Sequence, residues 1–132
     1  MSVDEECRFC VSKPGRRLID ESEYGFAAWD RHPASEGHVL VIPYRHFASY
    51  FDINDEELVD LWGLVAKGQR ICDEKYHPDG YNIGINVGTA AGQSIPHLHI
   101  HVIPRYKGDV ENLKGGVRGV IPDKKLYTFE PD

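Results

Sequence analysis

Three histidines alternate strictly in Pro96-His97-Leu98-His99-Ile100-His101-Val102-Ile103-Pro104. Side chains along an extended chain point to opposite faces in turn. His97, His99 and His101 therefore share one face, and Leu98, Ile100 and Val102 share the other. Same-face neighbours are about 7 Å apart, so the three rings span roughly 13 Å. The apolar face suits a core. The imidazole face needs polar partners or solvent, because each ring brings two nitrogens to satisfy. Such a row is a poor choice for plain burial and points to chemistry. Two chemistries fit. His-x-His on a strand can place two ligands on one metal ion. Alternatively, a neutral imidazole, with an unperturbed pKa of about 6.5, is a competent nucleophile at neutral pH. Its neighbours can then donate hydrogen bonds to phosphate oxygens and to a leaving group.

Cys7 and Cys10 form a C-x-x-C pair. The chain holds three cysteines, too few for a disulfide framework. In a reducing compartment that spacing points to metal or redox chemistry. Cys72 falls within a helical pattern and reads as a packing residue.

The elements that must position these residues follow from pattern. Lys13-Pro14-Gly15 signals a turn. Arg16–Ile19 and Gly25–Asp30 read as short strands around the polar Asp20–Glu23. His32–Gly37 reads as a loop. His38–Pro43 is rich in β-branched residues and reads as a buried strand ended by its proline. Asn54 is a good N-cap with Glu57 three residues on, as a capping box requires. Leu58, Leu61, Trp62, Val65 and Ile71 follow at near-helical spacing, and the helix must stop before Pro78-Asp79-Gly80. Tyr81–Val87 and Ile95–Pro104 read as further strands, joined through the small-residue loop Gly88–Gly92. In the polar remainder, Gly116–Ile121 is the one candidate strand. Strands around one long helix predict an α+β domain with an antiparallel sheet.

The length of 132 residues suits one domain, with a core over about 7–109 and an extension over 110–132. The net charge of −6 argues against a nucleic-acid polymer as partner, but not against small phosphate compounds. Apolar runs such as Val39–Ile42 are too short to span a membrane. The acidic, polar first residues do not read as a leader, so a cytoplasmic location is expected.

The histidine segment resembles the signature of the histidine triad (HIT) superfamily. Gly37-His38-Val39-Leu40-Val41-Ile42-Pro43 is similar to that family's Gly-His-x-Leu-(Val/Ile)-x-Pro strand. Gly92-Gln93-Ser94, Tyr81-Asn82 and Asn86-x-Gly88 fit as well. The resemblance runs from about Cys7 to Asp109. It implies a HIT-like α+β fold, usually paired as a homodimer, and a two-step reaction. His99 would attack the α-phosphorus of a small nucleotide, and water or another acceptor would resolve the nucleotidyl-histidine. The resemblance assigns His101 to the phosphate and leaving group, and His38 to support from the neighbouring strand. It puts Asp30 at the ribose hydroxyls, Phe26 and Ile42 at the base, and Asn86, Gln93 and Ser94 near the phosphates. No catalytic metal is implied.

Relatives with the cysteine pair often hold a structural zinc. Here the implied ligands are Cys7, Cys10, His46 and His97, a closed set without an open position for catalysis. Arg105-Tyr106-Lys107-Gly108-Asp109 resembles the segment after the triad in the branch that cleaves dinucleoside polyphosphates, which favours that substrate over a nucleoside phosphoramidate. Arg105, Lys107, Lys114 and Arg118 suit either an extended polyphosphate or a solvated basic surface. The patterned segment 115–122 is expected to cover the site or a partner subunit. Two other readings remain open: a nucleotide-binding module with little turnover, and a metal-dependent enzyme with the histidines as open-site ligands.

Overall fold

The computed structural model describes residues 6–11 and 14–127. Five strands form one antiparallel sheet: β1 (Leu18–Glu21), β2 (Gly25–Trp29), β3 (Val39–Pro43), β4 (Gly80–Gly84) and β5 (Ile100–Arg105), in the order β1-β2-β3-β5-β4. A four-residue helix α1 (Arg8–Val11) precedes the sheet, and the long helix α2 (Asp55–Tyr76) links β3 to β4. The α+β expectation holds.

The start of α2 is fixed by the capping box foreseen in the sequence. The Asn54 carboxamide accepts from the Glu57 amide at 2.8 Å, and the Glu57 carboxylate accepts from the Asn54 amide at 3.1 Å. The buried Glu57 also takes both Arg45 nitrogens, at 2.7 and 3.0 Å, which compensates a carboxylate that burial alone would destabilise. Helix α2 ends at His77, in the left-handed region, just before Pro78.

One sheet face packs on α2. Leu61, Leu64 and Val65 meet Ala27, Val39, Val41, Ile100 and Val102. Gly68 allows the close approach, since a Cβ there would stand 3.0 Å from a Val39 methyl. Cys72 is buried as expected, whereas Trp62 is partly exposed and Leu64 takes the place in the core. The opposite face carries a second apolar cluster, Phe26, Ala28, Leu40 and Ile42, with Phe9 and Tyr44 against it. β2 and β3 are thus covered on both faces, which is why they lack polar alternation.

Several boundaries differ from the pattern reading. Gly15–Arg17 is a 3₁₀ turn rather than the start of β1, and β1 runs on through Asp20 and Glu21. β3 begins at Val39, and β4 covers Gly80–Gly84 rather than Tyr81–Val87. The Gly116–Ile121 strand is overturned. Gly116–Val120 and Pro122–Lys124 are 3₁₀ turns: Gly115 and Gly116 are left-handed, and the segment lies against β4 without pairing with it among the described residues. The largest correction concerns the histidines. The sheet ladder begins only at Ile100, and residues 95–97 bend. Pro96 lacks an amide to donate to a ladder, and the Leu98 amide instead donates to the Phe47 carbonyl at 2.7 Å.

Candidate active site

That bend separates the three histidines. His101 lies within β5, directly opposite Leu40 of β3. His99 lies just before the strand, its ring centroid 5.0 Å from that of His101. His97 turns away toward the N-terminal cysteines, so it does not join a single row with the other two. His99 and His101 line a cavity of about 260 Å³ whose floor is formed by Phe26, Ala28, Leu40 and Ile42. Asp30 and Ser94 stand on its wall, and Phe9 covers it from α1.

The hydrogen bonds fix the ring tautomers. A backbone carbonyl accepts only, so His99 Nδ1–H donates to the His97 carbonyl at 2.8 Å and leaves Nε2 as the bare nitrogen. The Ala34 amide donates to His38 Nδ1 at 2.9 Å, which puts the His38 proton on Nε2. That nitrogen lies 3.0 Å from His101 Nδ1 and donates to it, so His101 carries its proton on Nε2. The cavity therefore receives one nucleophilic nitrogen, from His99, and one N–H donor, from His101. Burial, then the neighbouring His99 and His38, pull the His101 pKa down to about 4. Burial likewise lowers the His38 pKa against the opposing pull of Asp30. Both rings are neutral at pH 7, as the tautomer chain requires. Asp30 accepts from the His32 amide at 2.9 Å and has its other oxygen 3.5 Å from His38 Nε2.

A second cluster sits behind this site. His97 Nε2–H donates to the Pro43 carbonyl at 2.8 Å, so its Nδ1 is bare. Nδ1 lies 3.4 Å from Cys7 Sγ, 3.5 Å from Cys10 Sγ and 3.1 Å from His46 Nδ1, while Cys10 Sγ is 3.3 Å from His46 Nδ1. A tetrahedral zinc with Zn–S of about 2.3 Å and Zn–N of about 2.05 Å has S···N edges of about 3.5 Å and N···N edges of about 3.3 Å. The observed edges fit that ion. The four ligand atoms converge from three separate segments, and the Cys/His donor set suits zinc. Asp30, His38 and His101 also converge within 4.8 Å of one another, but the tautomer chain accounts for their contacts.

Of the residues singled out in the sequence, His99, His101, Asp30, Ser94, Phe26 and Ile42 meet at the cavity, and His38 supports His101 from behind. Gln93 and Asn86 are not in its lining. The Gln93 side chain is spent inside its loop, donating to the Ala48 and Ile95 carbonyls and accepting from the Gly88 amide. Arg105 is tied to Asp109 and Asn82, and Arg118 to the Lys124 carbonyl. Neither these nor Lys107 and Lys114 line the cavity, and the 115–122 segment lies outside it too. Sequence reasoning missed Phe9, whose ring stands edge-on to His97 and His99 at 5.8 and 5.0 Å. It also missed Arg8 and Arg17 on the cavity wall. The signal for the first two was their place between the cysteines.

Comparison with known proteins adds the following. The family model described as HIT domain matches residues 13–108. An AP-4-A phosphorylase of Mycobacterium tuberculosis is 38% identical over 108 residues, covering 80% of this chain and 55% of that protein. An asymmetrical bis(5'-nucleosyl)-tetraphosphatase of Schizosaccharomyces pombe is 44% identical over 95 residues, covering 72% of this chain and 52% of that one. The chain thus spans about half the length of these two relatives. The crystal structure of a Zn-bound histidine triad family protein from Mycobacterium smegmatis superposes with a TM-score of 0.66 at 34% identity, covering 96% of this chain and 84% of that one.

Proposed function

The chain belongs to the HIT-domain family, and on that premise we propose that it is a nucleotide hydrolase or transferase that cleaves dinucleoside polyphosphates at the α-phosphate. The observation that carries the reading is the pair of opposed tautomers at the cavity: a bare Nε2 on His99 and an Nε2–H on His101. In the first step His99 Nε2 forms a bond to the α-phosphorus, and the bond to the bridging oxygen breaks. The leaving nucleotide departs as a phosphate anion and accepts a hydrogen bond from His101 Nε2–H, which keeps its proton. The His97 carbonyl, on His99 Nδ1–H, stabilises the positive ring of the nucleotidyl-histidine. In the second step water, which loses a proton to solvent, or a phosphate oxygen attacks the same phosphorus, and the breaking N–P bond returns its electron pair to His99 Nε2. Two displacements let one imidazole serve as nucleophile and then as leaving group. The two relatives named above, a phosphorylase and a hydrolase, differ in that second acceptor. Asp30 suits the ribose hydroxyls, since a carboxylate accepts both. Ser94, on the same wall, suits a phosphate oxygen.

The Cys7, Cys10, His46 and His97 cluster fits a closed zinc site. When bound, the ion supplies structural tethering of α1 to the histidine segment. A homodimer is the expected assembly. β4 is an edge strand, and Val59, Trp62 and Ile83 leave apolar surface exposed. Light scattering after size-exclusion chromatography tests it, and a monomer at micromolar concentration counts against it.

The activity is tested by quenching the protein after mixing with diadenosine tetraphosphate and with an adenosine phosphoramidate, then measuring intact mass. The expected result is an adenylyl adduct, larger with the tetraphosphate and absent in His99→Ala. An adduct only with the phosphoramidate moves the substrate class. No adduct and no turnover with either rejects the enzyme in favour of a binding module.

A further inference from the structure

The strand register gives the cavity a direction. His101 is opposite Leu40, Leu40 is opposite Ala28, and Ala28 is opposite Leu18. Moving along this row from β5 to β2 crosses two strand spacings, about 10 Å. That matches the reach from a phosphorus held at His99 to the base of the same nucleotide. The floor under the base is apolar, but the wall at that end is not. Arg17 immediately precedes β1, and its Nη1 donates to the Trp29 carbonyl at 3.3 Å. Arg8 lies beside Phe9, which packs on the apolar floor, and is held between Cys7 and Cys10. No carboxylate pairs with either arginine among the described residues.

A guanidinium offers N–H donors only and has no acceptor. A base edge that faces it must therefore present acceptors. Guanine and hypoxanthine present O6 beside N7, which an arginine can take together. Adenine puts its N6 amino group, a donor, where O6 would be. We propose that this cavity selects 6-oxopurine nucleotides over adenine nucleotides, with Arg8 and Arg17 as the residues that set the preference. The inference rests on the reading above, that a nucleotide lies with its phosphate at His99. Asp30 opposes a competing use of the arginines for a phosphorylated ribose, because its carboxylate lines the same cavity and repels a second anion.

The test uses binding rather than turnover, so that it stands apart from the test of activity. Titration calorimetry of the protein as purified, metal retained, compares GMP, IMP and AMP. GMP and IMP are expected to bind at least about 5-fold more tightly than AMP, the lower end of what a two-point base contact discriminates. The ratio should fall toward unity in Arg8→Leu or Arg17→Leu. Equal or tighter binding of AMP by the unaltered protein overturns the proposal, as does a ratio unchanged in both variants. If either variant fails to fold, the comparison of the three nucleotides on the unaltered protein still decides. GMP preference without any adduct would reject the enzyme reading alone. An adduct without base preference would reject this inference alone.

Discussion

Replacing His38 with leucine should slow the first chemical step by roughly 10- to 100-fold while leaving the fold in place. The effect runs through a proton that His38 never gives up. Its Nδ1 accepts from the Ala34 amide, so its Nε2–H must donate, and His101 Nδ1 receives it at 3.0 Å. This bond keeps the His101 proton on Nε2, the nitrogen that in the proposed reaction faces the leaving group. Leucine removes the donor. The Asp30 carboxylate remains, with an oxygen within 4.8 Å of a His101 ring nitrogen, and it can only accept. His101 then gains by moving its proton to Nδ1, and its Nε2 faces the cavity bare. A hydrogen bond to a charged group is worth about 1.5–3 kcal/mol, which corresponds to roughly 10- to 100-fold in the population of the productive tautomer. His38→Gln is the informative companion, because its amide nitrogen reaches close to the lost Nε2 and can still donate to His101. The expected order of single-turnover rates is wild type, then glutamine, then leucine. Nitrogen-15 spectra of the His101 ring provide the second reading, with the proton on Nε2 in the wild type and on Nδ1 in the leucine variant. A leucine variant that reacts within about twofold of wild type, with the His101 tautomer unchanged, refutes the relay.

Further outcomes follow from the same geometry. The protein purified without chelator should carry one zinc per chain, and Cys10→Ala should lose it and melt several degrees lower; a zinc-free protein of unchanged melting temperature would reject the site. Chelation should leave His99 adduct formation intact in the folded fraction, and activity restored only by added metal would instead favour an ion held by Asp30, His38 and His101. Acid should destabilise the fold between about pH 6.5 and pH 4. His101 has a pKa of about 4 when folded, below its unfolded value, so the unfolded chain binds the extra proton as pH falls and stability drops with it. The loss should be about 1–2 kcal/mol, less than the full shift implies because the ring meets solvent at the cavity. Denaturant unfolding across that range should show a flatter dependence in His101→Asn, and an equal slope would count against a neutral buried ring. Gly37→Ala should cost about 2–4 kcal/mol, because the residue has φ of +91° and its new Cβ would stand 2.8 Å from both Cys72 Sγ and the Tyr76 ring. Gly63→Ala, with nothing within 4 Å, should hold or raise the melting temperature and serves as the control.

Much of the fold was legible in the sequence because the signals were local. Asn54 and Glu57 lie three residues apart, so their capping box forms within one turn of helix and needs nothing from the rest of the chain. The apolar run Val39–Pro43 announced a strand covered on both faces, and the alternation around Ile100 and Val102 put those two in the core. The residue types at the site were legible for the same reason, since His-x-His-x-His and C-x-x-C are short-range patterns. What each residue does there was not. Period-two alternation placed three rings on one face, but a hydrogen bond from Leu98 to Phe47 bends the chain at His97 and sends that ring to cysteines some ninety residues earlier. The Gly116–Ile121 segment was the one candidate strand in the polar remainder, yet with Gly115 and Gly116 left-handed it winds into a 3₁₀ turn against β4 instead of pairing with it. Gln93 was polar and near the histidines, but its loop consumes its hydrogen bonds. The sequence by itself determined most of the elements, the alternating histidines and the Cys/His donor types. The tertiary structure decided which nitrogen of each ring carries the proton and which side chains wall the cavity, because those depend on carbonyls, amides and strand registers brought together from distant parts of the chain.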